Sequence, residues 1–202
     1  MSKAEATKAH IIEQAALLFN QKGYAGSSIA DIMAATGLKK GGIYNHFKSK
    51  DEIAICAFDY AASLVQQKVW DAVKREKNAI SRLQALMQVH LDYIDNPPLT
   101  GGCPIMNTAI ESDDAYPILR DRATSAMDSW RNLIICIVRK GIKKQEVKAN
   151  VDGETVASFL ISAIEGAIMM SKLYQDAVHL QRVINSLNEY IKHLELETHQ
   201  TP

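Results

Sequence analysis

Residues 156–170 read VASFLISAIEGAIMM, a stretch that leaves a helix almost no polar side. Val156, Ala157, Phe159, Leu160, Ile161, Ala163, Ile164, Ala167, Ile168, Met169 and Met170 spread over most of its circumference. Such a helix is stable only when other elements cover it on several sides. Its companion follows at once. Leu180, Val183, Leu187, Tyr190 and Leu194 recur at alternating three- and four-residue steps, a single apolar seam suited to a four-helix bundle. Ser158, Ser162 and Glu165 interrupt the apolar run, so it reads as a packed helix and not as a membrane span.

The rest of the 202 residues keeps the helical period, with no strand-like alternation and no repeat. The expectation is an all-α chain. Ile11, Ile12, Ala15, Leu18 and Phe19 form the apolar face of a first helix closed by Gly23. Ser28 and Asp31 open a second, and a short third follows Gly37 with Leu38, Ile43 and Phe47 turned inward. Ser49 and Glu52 open a long fourth, to about residue 75. Further helices are expected over 79–95, from Pro104, and over 117–141, 152–173 and 178–196.

The third segment is locally costly. GLKKGGIYNHFKSKDEI, residues 37–53, sets Gly41 and Gly42 side by side inside a helix. Each mid-helix glycine costs about 0.8–1 kcal/mol relative to alanine. Lys39, Lys40, Lys48 and Lys50 gather there around Tyr44, Asn45 and His46. Net charge over the whole chain is zero, yet residues 1–50 hold seven lysines against Glu5, Glu13 and Asp31. A basic head on an acidic body points to an anionic partner for the head alone.

The second and third helices, joined at Gly37, have the form of a helix-turn-helix, whose second helix lies in the major groove of DNA. Glycines on the groove face let backbone come close, and lysines neutralise phosphates. Tyr44, His46 and Lys50 suit phosphate or sugar contacts. Lys40 and Asn45 suit base edges. Taken singly, each lysine also fits a solvated face and Tyr44 also fits packing. Turn glycine, hydrophobic staple, glycine pair and charge asymmetry all agree on the first reading.

GYAGSSIADIMAATGLKKGGIYNHFKSKDEI resembles the DNA-binding signature of the TetR family of bacterial transcriptional regulators. The resemblance covers about residues 8–55. It implies a three-helix DNA-binding domain over 1–48, then a larger helical effector-binding and dimerisation domain over 49–202. It further implies a cytoplasmic homodimeric repressor, released from a palindromic double-stranded operator by a small-molecule effector. Phosphate contacts carry onto Ser27, Tyr44, His46 and Lys50, and groove contacts onto Lys40 and Gly41; Ser28, Lys39, Gly42 and Asn45 are expected among the DNA-binding residues beside them. Lys39 replaces the usual Ser or Thr cap, and Gly42 stands where a small side chain is common.

In the body, the resemblance makes Phe159, Ile164, Ala167, Leu180, Val183, Leu187, Tyr190 and Leu194 a dimer interface. Core packing within one chain is the other reading. An effector pocket is expected from Met87, His90, Tyr93, Cys103, Met106, Asn107, Met127, Trp130, Glu165, Met169 and Lys172, as a few polar groups in an apolar lining. The stripe Ser158, Ser162, Glu165, Met169 and Lys172 fits a cavity wall or a solvated edge. Cys103 reads as the N-cap of the helix opened by Pro104. There it is either an inert cap or a thiol sensing oxidants and electrophiles.

Cys56, Cys103 and Cys136 are odd in number and widely spaced, which fits a reducing compartment and no structural zinc. The opening MSKAEATKAH lacks the apolar core of a secretory leader. The acidic run at 111–114 reads more simply as the start of the next helix than as a metal site. No catalytic fingerprint or cofactor motif is present, so a non-enzymatic role is expected.

Overall fold

The computed structural model describes residues 2–91 and 96–196. Among them run nine helices: α1 (Lys3–Lys22), α2 (Ile29–Thr36), α3 (Lys40–Tyr44), α4 (Lys50–Val73), α5 (Ala79–Gln88), α6 (Pro104–Ser112), α7 (Pro117–Lys143), α8 (Gly153–Tyr174) and α9 (Val178–His193). The chain is all-α; among the described residues the nearest thing to a strand is an isolated bridge between Val147 and Glu195. α5 is shorter than its periodicity suggests, stopping at Gln88.

The chain divides into two compact units, Met1–Val65 with Pro98–Met127, and Gln66–Pro97 with Asp128–Pro202. Packing does not break at residue 48. The core of the first unit joins Ile11 and Ala15 of α1, Ile32 of α2, and Ile43 and Phe47 to Ile53 and Ala57 of α4. Leu99, from the loop before α6, belongs to the same core.

In the second unit α8 and α9 pack against each other. Ser171 Oγ accepts the Leu180 N–H at 2.8 Å across their connection. Gln175, at φ +53°, makes the left-handed cap that ends α8. The start of α5 is held by the Asn78 cap and by Glu146, whose carboxylate accepts the Ala79 N–H at 2.8 Å. Arg131 of α7 reaches Glu154 of α8 at 2.6 Å. α8 is long and apolar enough to cross a membrane by length and composition, and half of its apolar window is buried.

Candidate nucleic-acid interface

The α2–α3 pair owes its shape to local chemistry. Ser28 Oγ accepts the Asp31 N–H at 3.1 Å while Asp31 returns to the Ser28 N–H at 2.8 Å, a reciprocal cap on α2. Those bonds to Ser28, then one to Lys22, hold the Asp31 carboxyl down at about 2. Thr36 Oγ1 donates to the Ile32 carbonyl at 2.7 Å and accepts the Leu38 N–H at 3.3 Å. Gly37 then turns the chain at φ +71°, a conformation that favours glycine. Lys39 caps α3 with no side-chain bond, so Leu38 and Ile43 occupy the staple positions. Ile43 is fully buried and Phe47 nearly so.

With that face fixed inward, the opposite face is exposed: Lys39, Lys40, Gly41, Tyr44, Asn45 and Lys48. The Lys40 ammonium lies 5.9 Å from the Tyr44 ring centroid. A Cβ on Gly41 would meet nothing within 4 Å. The fold therefore makes no steric demand for glycine there, and any reason for it lies outside the protein. Gly42 is half-buried, and its Cβ would sit 3.7 Å from Leu38 Cβ. His46 is half-buried too.

Three residues expected at DNA also bond within the head. Ser27 is 2% exposed and donates to the Gly23 carbonyl at 2.7 Å. The Ser28 hydroxyl is held in its cap. Lys50 donates to the Tyr24 carbonyl at 2.6 Å and sits 3.9 Å over the Tyr24 ring. Tyr24, in the α1–α2 turn, also bonds through its hydroxyl to Asp51. Burial first, then that bond, keeps its phenol above the ordinary tyrosine range. The Tyr24 and Ala25 N–H groups both donate to Glu111 at 2.7 Å. Glu111 therefore belongs to this turn and not to the start of α7. The pairing of Tyr24 with Glu111 was not legible in sequence, because 87 residues separate them.

The residues expected to line an effector pocket fall on both units. Cys103, Met106, Asn107 and Met127 belong to the first, and Met87, His90, Trp130, Glu165, Met169 and Lys172 to the second; Tyr93 lies outside the described residues. Asn107 donates to Asn20 Oδ1 and to the Gly101 carbonyl, both at 3.0 Å. Cys103 is the N-cap of α6, as expected, and is 2% exposed. His90 stacks on Trp130, with ring centroids 5.3 Å apart and planes within 16°. Burial holds the His90 imidazole down at about 4, and its Nδ1 lies 3.0 Å from the Leu86 carbonyl. Trp130 Nε1 is buried with no hydrogen-bond partner. Met87 and Glu165 are buried, but Met169 is 51% exposed and Lys172 is exposed, so neither lines an enclosed space within one protomer.

The dimer residues divide in the same way. Ile164, Ala167, Leu180, Leu187 and Leu194 are buried inside the protomer. Leu180 and Leu187 join Ile184 and Ile191 on the buried face of α9. Val183 and Tyr190 flank that face and are half-buried. Phe159 is 46% exposed and meets Tyr190 edge-on at 4.8 Å. Met169, Met170, Leu173 and Tyr174 continue the exposed apolar face along α8.

Residues 11–55 match the family model described as bacterial regulatory proteins, tetR family. Residues 79–187 match that of the tetracyclin repressor-like C-terminal domain. A solved TetR transcriptional regulator from Chloroflexus aurantiacus J-10-FL is 43% identical with a TM-score of 0.95, over 98% of this chain and 100% of that one. A TetR-family regulator from Cytophaga hutchinsonii is 33% identical with a TM-score of 0.89, over 98% and 99%. The HTH-type transcriptional repressor DhaR of Mycobacterium sp. strain GP1 is 24% identical over 181 residues, 89% of each chain.

Proposed function

This chain belongs to the TetR family of bacterial regulatory proteins, and on that premise we propose that it is a homodimeric, cytoplasmic transcriptional repressor without enzymatic activity. Residues 1–48 bind operator DNA through α3, and residues 49–202 dimerise and take up a small-molecule effector. The observation that carries this reading is the outward face of α3, where an exposed glycine with open space above it lies between exposed lysines. Lys39, Lys40 and Lys48 neutralise phosphates, Tyr44 fixes register, and the Gly41 backbone meets the groove wall. The relative named a transcriptional repressor supports the direction of control.

A dimer is required because two recognition helices about 34–36 Å apart meet successive major grooves. The exposed row Phe159, Met169, Leu173 and Tyr174 on α8 supports that assembly, since apolar area of this kind is stabilised by a self-complementary partner face. Effector binding near His90 and Trp130 is supported by a neutral buried imidazole stacked on an indole whose N–H has no acceptor. An apolar effector carrying one acceptor atom fits that chemistry. It releases DNA by its higher affinity for the wrongly spaced state. The thiol-switch alternative at Cys103 gains no support from a residue that is 2% exposed.

Fluorescence anisotropy on DNA from upstream of the protein's own gene tests the reading. Tight binding that weakens steeply with salt is expected, and equal affinity for any duplex of that length would contradict it.

A further inference from the structure

α6 grips the DNA-binding head at two points. At its N-terminal side, Asn20 of α1 donates to the Thr100 and Gly102 carbonyls at 3.0 and 3.1 Å, and Asn107 donates back to the Asn20 carbonyl at 3.2 Å. Gly101, at φ +121°, makes room: a Cβ there would lie 2.4 Å from the Asn20 carbonyl oxygen. At its C-terminal side, Glu111 spreads its two oxygens over the successive N–H groups of Tyr24 and Ala25, each at 2.7 Å. Gly23, at φ +77°, admits that carboxylate, since a Cβ there would come within 2.9 Å of both oxygens. Tyr116, just before α7, closes edge-on against Tyr24 at 4.7 Å.

We propose that Glu111 is a positioning residue for DNA binding, tying the α1–α2 turn to α6 and so setting the angle at which α2 and α3 are presented. The role rests on the DNA-binding reading above. Charge-assisted bonds to two adjacent amides fix both the distance and the tilt of the turn. Only three residues lie between Tyr24 and the cap of α2 at Ser28, so little slack separates the clamp from the helix-turn-helix. Lys50 and Asp51 of α4 hold the carbonyl and hydroxyl of the same tyrosine. Tyr24 is thus a junction where α6 and the start of α4 both meet the head. A shift of α6 reaches α2 and α3 directly, without any bend in α4.

Glu111→Gln in the full-length protein tests this, because it keeps the size but removes the charge and one acceptor. Its affinity for the protein's own upstream duplex and for a scrambled duplex of equal length is measured across salt, together with amide exchange. The expected result is at least a tenfold loss on the upstream duplex, with affinity and salt slope on the scrambled duplex unchanged. The Tyr24 and Ala25 amides exchange faster while those of Ile32 and Ile43 do not, which shows the head still folded. Wild-type affinity in the variant overturns the proposal. So does an equal change on both duplexes, as unfolding or simple charge removal would give. Wild-type protein that does not prefer its upstream duplex overturns the DNA-binding reading, and this role with it.

Discussion

Lys50 points its ammonium at the Tyr24 carbonyl, 2.6 Å away, and covers the Tyr24 ring. A lysine held this way stabilises the head, and its ammonium is already directed at the protein's own carbonyl and ring. Replacing Lys50 by Met is expected to cost about 1–2 kcal/mol of stability, read by urea unfolding. Lys40→Ala is expected to do the reverse. It leaves stability unchanged and lowers the salt slope of DNA binding by about 0.9. Equal salt slopes for both variants would contradict the division.

The seryl pair before α2 separates the same two roles. Ser27 and Ser28 both act inside the head, one on the Gly23 carbonyl and one as a cap. Ser28→Ala is expected to lose about 1 kcal/mol. Ser27→Ala leaves a partly buried carbonyl short of a donor, at about 1 kcal/mol. Neither is expected to change the salt slope, which counts phosphates directly.

Burial of His90 makes stability depend on pH in a stated direction. The folded imidazole titrates at about 4, below the 6.5 of an exposed histidine. Between those values the unfolded chain binds the proton and the folded one does not. Stability is therefore full above pH 6.5, falls as pH drops toward 4, and levels off below. The loss amounts to about 3 kcal/mol over the full window. His90→Gln is expected to remove most of the slope between pH 6.5 and 5, measured by urea unfolding.

On α8 and α9, burial tells dimerisation from core packing. Leu173→Glu on the exposed row is expected to give monomers by analytical ultracentrifugation, with the helical signal intact. Leu180→Ala removes a fully buried side chain and is expected to lose about 2–5 kcal/mol of stability, while the folded fraction still dimerises. Dimers of the Leu173 variant would contradict the assignment of that face.

Which parts were legible in the sequence follows from the range of the interactions. Caps, staple and turn act within a few residues, so Ser28 with Asp31, Gly37, and Leu38 with Ile43 could be read directly. The seam on α9 was half legible. Periodicity revealed an apolar face, but Leu180 and Leu187 turn to the protomer's own core while Tyr190 stays half-buried, a choice made by neighbours far along the chain. Glu111 was misread for the same reason. Beside Asp113 and Asp114 it looks like the start of α7, yet its partners are amides in the α1–α2 turn. Lys50 sits in a motif that implies a phosphate, and only the fold shows the Tyr24 carbonyl it meets.

Gly41 gives the most direct test of the central claim, because nothing in the protein fills the space where its side chain would be. Gly41→Leu replaces a poor helix former with a good one and is expected to raise stability by about 0.8 kcal/mol, or about 2–3 °C in Tm. The same substitution puts a bulky side chain between α3 and the groove. Affinity for the upstream duplex, measured by anisotropy alongside Tm, is expected to fall by two orders of magnitude or more in this better-folded protein. Wild-type affinity in Gly41→Leu would show that α3 does not enter the groove on this face.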